Sequence, residues 1–244
     1  MNRLLFMSNK MKMPISVHLE ELRGRLISIV IVFVLMVILS TVNINQIIQF
    51  LQLPAEGIKF LQLAPGEYFF TAFKVSLFFS VILTAPFSIY QIMAFVIPGL
   101  TKNETKFVII FSILSLFLFG IGILFCYTVL MPITIHFFIQ YGSNIIEPLW
   151  SFEQYFNFIV ILLLSTGLIF ELPILQVLLN LFNIVSFEQM CSIWKYVIFF
   201  STIIGAILTP STDPLTQLLF SLSFYALYIL GLCGNGIDIN VITK

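Results

Sequence analysis

Long apolar runs separated by short polar punctuation set the pattern of this chain. A helix crossing about 30 Å of hydrocarbon needs about 20 apolar residues, and the sequence supplies several such runs. The first covers residues 22–42. The second covers 69–97, with Pro86 inside it, and the third 107–131. The fourth covers 156–182 and contains Pro173. Two shorter candidates follow, 194–208 and 214–232. The fifth run reaches only about 23 Å at the helical rise per residue. The pattern predicts six spans, the last two short, in a single polytopic membrane domain covering residues 1–244. Leu19, Leu22 and Leu26 share a helical face, so residues 1–21 form an amphipathic lead-in to the first span.

Turn and cap residues support these cuts. Asn43 and Asn45 end the first run, and Pro54 and Pro65-Gly66 break the segment after it. Pro98-Gly99 closes the second run. Thr101-Lys-Asn-Glu104 then has the spacing of a capping box opening the third. Pro132 marks the end of the third run, and Ser151-Phe-Glu-Gln154 caps the fourth. Ser186-Phe-Glu-Gln189 opens a short segment before the fifth. The stretch from Thr209 to Pro214 is a tight turn that places proline at the first position of the sixth helix.

Composition sharpens the class. The chain is 60% hydrophobic and 9% charged, against about 25% charged in an ordinary soluble domain. Its mean hydropathy is +1.10. These values exclude a disordered chain, a collagen-like fibre, a disulfide-stapled secreted domain and a nucleic-acid binder. Eleven basic residues balance eleven acidic ones, so placement carries more information than net charge. Arg3, Lys10, Lys12, Arg23 and Arg25 lie at the start. Lys102 and Lys106 lie between spans two and three, Lys195 between four and five, and Lys244 at the end. With six spans all of these share one side, and the other side has only Lys59. The excess of Lys and Arg places both termini in the cytoplasm or an equivalent compartment. The first run lies too far inside the chain for a cleaved signal peptide, and no transit peptide is evident. Cys126, Cys191 and Cys233 lack metal-ligand spacing, His18 and His136 are far apart, and no catalytic or nucleotide-binding pattern occurs. The expectation is a chain that is not an enzyme and needs no metal or cofactor.

Ionisable residues within apolar runs are costly and by default functional. Lys74 sits about two turns inside the second span, where it can snorkel or pair with Glu67. Glu171 lies near the middle of the fourth span, two residues before Pro173. A proline there frees a carbonyl one turn earlier and kinks the helix. A carboxylate beside such a kink must face protein or water, and Gln217 in the sixth span is a candidate partner. Other acidic residues have local readings. Glu21 can pair with Arg25 four residues on, Glu104 completes the cap begun at Thr101, and Asp213 is an N-cap. A small secondary transporter or channel using Lys74 and Glu171 is one functional reading. Such folds show internal repeats with paired broken helices, and the halves of this chain show no convincing repeat.

Six patches in register resemble TatC, the multi-spanning subunit of the twin-arginine protein translocase, in its plastid and cyanobacterial branch. They are His18-Leu-Glu-Glu-Leu-Arg-Gly-Arg-Leu26, Leu63-Ala-Pro-Gly-Glu-Tyr-Phe-Phe70 with Lys74, Ala85-Pro86 with Tyr90-Gln91, Pro98-Gly-Leu-Thr-Lys-Asn-Glu104, Phe170-Glu-Leu-Pro173, and Leu208-Thr-Pro-Ser-Thr-Asp-Pro-Leu-Thr-Gln217. The resemblance implies an all-α membrane protein with six spans in a cupped bundle. It implies recognition of signal peptides with consecutive arginines through Glu21 and Glu104, supported by Arg23 and Pro98. It also implies that Glu171, Asp213, Gln217 and Lys74 contact partner helices or the inserted signal peptide. The implied partners are single-span subunits resembling TatA and TatB, further copies of the chain, and lipid, with no nucleic acid. The implied transport of folded proteins uses the proton gradient and no cofactor. The 28 phenylalanines, with heavy use of Ile, Leu and Asn, suit an AT-rich organelle genome. They point to a plastid thylakoid membrane, with a bacterial or mitochondrial inner membrane as the alternatives.

Overall fold

A computed structural model of the chain describes residues 15–96, 102–142, 149–181, 184–208 and 214–236. Ten helices dominate the described residues. Helix α1 is Ile15–Val42, α2 is Ile44–Gln52, and a 3-10 turn covers Leu53–Ala55. Strand β1 (Lys59–Leu61) precedes α3 (Glu67–Val96). Helix α4 (Lys102–Phe125) runs through a π turn at Cys126–Leu130 into α5 (Met131–Gly142). Strand β2 (Leu149–Ser151) leads into α6 (Phe152–Ile169) and α7 (Leu172–Leu181). The short α8 (Phe187–Ser192), α9 (Trp194–Leu208) and α10 (Pro214–Gly236) complete the order.

Five helical stretches are long and apolar enough to cross a membrane: Leu19–Val42, Glu67–Phe95, Thr105–Tyr141, Phe152–Asn180 and Pro214–Cys233. The shorter apolar helix Trp194–Ile207 lies between the last two. The fifth expected span is thus short, at 15 residues. The sixth is full length, because α10 continues four residues beyond the expected end at 232 and reaches 23 residues.

Pro132 does not end the third helix, contrary to the sequence expectation. The π turn stands immediately before it, with the Met131 N–H bonded to the carbonyl of Cys126. One extra residue in that turn makes room for the ring and for the missing N–H, so helix resumes at once. Pro86 likewise sits inside the continuous helix α3. Pro173 has the stronger effect. Helix stops at Ile169 and restarts at Leu172, with Phe170 and Glu171 in a turn. The turn keeps its backbone bonded: Phe170 donates to the Thr166 carbonyl, Glu171 to Leu168, and Leu175 to Glu171, at 3.0–3.1 Å. The Ser151 cap of α6 forms as expected, its hydroxyl accepting from the Gln154 N–H. The Ser186–Gln189 capping box of α8 is complete in both directions.

The chain divides into two compact units, Met1–Asn43 with Ser76–Leu116, and Ile44–Val75 with Phe117–Lys244. In the first, α1 meets the later part of α3 through small hydroxyl residues. The Thr41 hydroxyl donates to the Val37 carbonyl at 2.7 Å and lies 2.8 Å from Ser76 Oγ. Ser80 Oγ bonds the Ser76 carbonyl at 2.6 Å and lies 3.1 Å from Ser40 Oγ. Such residues let transmembrane backbones approach and give each hydroxyl a partner where no water is present. Val30, Ile31, Val34, Leu35, Ile38 and Leu39 remain exposed on α1.

The second unit contains the densest core. Phe156, Ile159, Met131 and Ile135 are almost wholly buried. Strand β1 pairs in parallel with β2, Phe60 opposite Trp150. Helix α2 is amphipathic and buries Ile47, Ile48 and Leu51. Tyr155 and Tyr127 then tie that segment down, donating to the carbonyls of Leu51 and Phe50 at 2.8 and 2.9 Å. The Tyr127 ring also stacks on Phe50, centroids 4.4 Å apart.

Gly122 permits the helix α4 to approach the α6–α7 turn. A Cβ there would stand 2.8 Å from both Cβ and Cγ of Phe170. At Gly120, by contrast, nothing lies within 4 Å. Gly122→Ala is expected to destabilise by about 1–3 kcal/mol, as overpacking does. Gly120→Ala is expected to be neutral or slightly stabilising. Thermal unfolding of the two variants in detergent checks the contrast, and equal Tm values would contradict this packing.

Candidate functional site

Glu21 and Arg25 lie on α1, one helical turn apart, and both are half-buried. The Arg25 guanidinium donates from Nη2 to Glu21 Oε1 at 2.6 Å and from Nε to the same oxygen at 3.2 Å. Its Nη1 reaches Gln91 Oε1 on α3, also at 3.2 Å. The expected i,i+4 pair therefore forms, and it recruits a third residue from another helix. Arg23 is on the same helix and exposed. Glu104 falls in the first turn of α4, and its side chain lies outside the described residues. Pro98 and Asp213 also lie outside them.

Lys74 does not pair with Glu67. Its ammonium donates to Asn157 Oδ1 at 3.0 Å and to Glu153 Oε1 at 3.3 Å. Glu153 and Asn157 are four apart on α6, so one helix face presents both acceptors. Glu67, the other expected partner of Lys74, is committed elsewhere. Its Oε2 accepts the N–H groups of Leu63 and Ala64 at 2.5 and 3.0 Å. Its Oε1 accepts the Glu153 N–H at 3.0 Å and the Ser151 hydroxyl at 3.1 Å. One carboxylate thus holds the loop before α3 and the N-terminus of α6. A helix start, with its unpaired N–H groups, favours an anion. Asn157, which accepts from Lys74, also lines a groove of about 660 Å³ with Phe138, Trp150, Gln154, Tyr155 and Phe158 among others.

Glu171 is half-buried in the turn between α6 and α7 and makes an interaction there. Gln217 donates to the Thr202 carbonyl at 3.1 Å. Gly205 allows the two helix backbones to approach here: a Cβ at 205 would lie 3.2 Å from the Gln217 carbonyl oxygen. Helices α9 and α10 therefore pack closely along this polar link. A further amide, Gln176 on α7, is buried, and neither of its polar atoms has a hydrogen-bond partner among the described residues. It presses on Gly231 of α10, where a side chain would collide with it. No group of three His, Cys, Asp or Glu able to hold a metal occurs among the described residues.

Sequence reasoning assigned no site role to Gln91, Glu153, Asn157 or Gln176, and it placed Glu67 only as a partner for Lys74. The spacing of Glu153 and Asn157 on a capped helix was a usable signal for Lys74. Nothing local could have shown that Gln91 meets Arg25 across 66 positions.

The TatC family, Sec-independent protein translocase proteins, matches residues 17–222. A tatC-like protein of Porphyra purpurea, ycf43, is 50% identical over 223 residues, covering 91% of this chain and 88% of that protein. The chloroplastic Sec-independent protein translocase protein TATC of Oryza sativa subsp. japonica is 44% identical over 222 residues, 90% of this chain and 62% of the rice protein. A crystal structure of the twin arginine translocase receptor TatC superposes with a TM-score of 0.80 at 28% identity. It covers 93% of this chain and 100% of the solved one.

Glu67→Gln tests the clamp. A glutamine can offer only one acceptor oxygen, and its NH2 must face donors that the carboxylate accepted. The variant is expected to unfold several degrees below the parent in detergent. Lys74→Gln, at a half-exposed pair, is expected to change Tm less. A Glu67→Gln protein as stable as the parent would refute the clamp.

Proposed function

The chain belongs to the TatC family, and from that premise we propose that it is the signal-peptide receptor of a twin-arginine translocase in a thylakoid membrane. As a member of the family it is a component of the Sec-independent translocase and an integral membrane protein. The receptor reading assigns Glu21 and Glu104 to the paired arginines of a cargo signal peptide. It assigns six crossings, with both termini on the stromal side where that peptide arrives. Folded cargo then crosses at the expense of the proton gradient.

The observation that carries this reading is the guanidinium held at Glu21. A guanidinium is planar, permanently charged and able to donate to several acceptors at once, whereas a lysine ammonium is a point charge. The Glu21 carboxylate already receives such a group in this structure. The family match at residues 17–222 includes both Glu21 and Glu104. The partners assigned are single-span subunits resembling TatA and TatB, which would lie against α9 and α10 near Asp213 and Gln217, together with further copies of the chain. Leu218 and Leu222 are exposed on α10, and Glu171 supplies a polar contact for an inserted helix.

Two measurements test these assignments. A labelled signal peptide with two consecutive arginines is expected to bind the purified protein in nanodiscs, and its Lys-Lys counterpart to bind at least tenfold more weakly. Glu21→Gln and Glu104→Gln are each expected to reduce arginine-peptide affinity by about tenfold, the scale of a lost charge-assisted bond. Unchanged affinity in Glu104→Gln would remove that residue from the site. For the partner face, photo-crosslinkers at Leu218 and Leu222 are expected to capture single-span subunits more efficiently than one at Val30 on α1. Equal capture at all three positions would argue against the α9–α10 wall.

A further inference from the structure

Three groups converge where α1 meets α3: the Glu21 carboxylate, the Gln91 amide oxygen and the Arg25 guanidinium between them. Both bonds from Arg25 to Glu21 end on Oε1. Oε2 has no hydrogen-bond partner among the described residues. The guanidinium is therefore held by two acceptors on different helices, with one carboxylate oxygen still open. Gln91 contributes an oxygen and no charge, so it distinguishes by the direction of an N–H.

We infer that Glu21 and Gln91 form a single guanidinium subsite, and that Arg25 occupies it until a signal-peptide arginine takes its place. The inference rests on the receptor reading and adds two residues to it. Gln91 becomes a contact for the incoming arginine, and Arg25 an internal competitor for the same acceptors. The geometry suits exchange. The Arg25 and Glu21 side chains retain 26% and 31% of their accessible surface, so the pair is not sealed inside the protein. An ion pair this exposed is weakly held. A competitor lowers apparent affinity by the fraction of time the acceptors are free. Lysine cannot replace the guanidinium equally well, because an ammonium lacks the flat fork that spans two acceptors on separate helices.

The test uses the full chain in nanodiscs and the labelled Arg-Arg and Lys-Lys peptides. Arg25→Gln frees both acceptors and is expected to tighten Arg-Arg peptide binding by about two- to fivefold, the range set by a weak exposed pair. Loss of one positive charge alone would tighten both peptides equally, so the expected gain is confined to the Arg-Arg peptide. Arg25→Lys, which retains the charge, is expected to give a smaller gain of the same selectivity. Gln91→Leu is expected to weaken Arg-Arg peptide binding about tenfold, the lower end of the scale of one lost bond to a charged group. It should leave the Lys-Lys peptide nearly unchanged. Circular dichroism and Tm establish that each variant is folded. If Arg25→Gln weakens or leaves unchanged the Arg-Arg affinity of a folded protein, Arg25 is no competitor and the inference is overturned while the receptor reading stands. Equal gains for both peptides overturn it as well. If the parent protein itself does not prefer the Arg-Arg peptide, the receptor reading and the inference fall together.

Discussion

A chain dissolved in hydrocarbon has no water to complete its backbone hydrogen bonds, and this constraint governs where the structure can be irregular. Among the described residues, two departures from straight helix keep hydrogen bonds around them. The π turn at Cys126–Leu130 passes its hydrogen bond one residue further along and admits Pro132 without a break. The turn at Phe170–Glu171 keeps three backbone bonds around it. Gln217 donates to the Thr202 carbonyl and closes a helix–helix contact at the same time. Non-helical backbone is concentrated in the connecting segments, where β1 and β2 pair with each other and tyrosine hydroxyls cap carbonyls near α2.

The same constraint decides how charge is housed. A carboxylate or ammonium at the edge of an apolar span needs a specific partner, and the partners come from other segments. Glu67 gathers four donors from the loop before it and from the start of α6. Lys74 turns to two acceptors on α6. Because Glu153 offers its backbone N–H to Glu67 and its side chain to Lys74, the two arrangements share one residue. The three charges form a chain of contacts within a single unit. Changing any one of them alters the electrostatic surroundings of the others, so their effects on stability are not expected to add.

Much of the fold was legible in the sequence because apolar run length is a strong signal for membrane helices. The caps at Ser151 and Ser186 were equally legible, since capping depends on residues three apart. The exceptions have physical causes. Pro132 reads as a helix stop, and only the preceding π turn, which has no sequence signature, cancels that signal. The pairing of β1 with β2 joins segments about 90 residues apart, and three-residue strands are too short to show a period. At the candidate site the order was similar. Glu21 with Arg25 followed from helical spacing. Lys74 with Glu153, and Arg25 with Gln91, depend on how helices meet, which local pattern does not encode.

The site's charge balance follows from these positions. On the proposed receptor reading, a carboxylate that receives arginine on a helix entering a membrane faces two opposed demands. Left unpaired near lipid it carries a desolvation cost. Paired in a fully buried bridge it would be held too strongly to release its partner, because breaking a buried pair is expensive. The observed arrangement lies between these limits. Arg25 is drawn from the same helix, so the pair needs no second element to form. It is joined to Gln91 by a bond from a charged donor to a neutral acceptor, which is weaker than a second ion pair. Both side chains keep about a quarter or more of their surface. If the proposal holds, a charge that must arrive and later depart is served by a resident partner of the same chemistry, held no more tightly than a partly exposed pair allows.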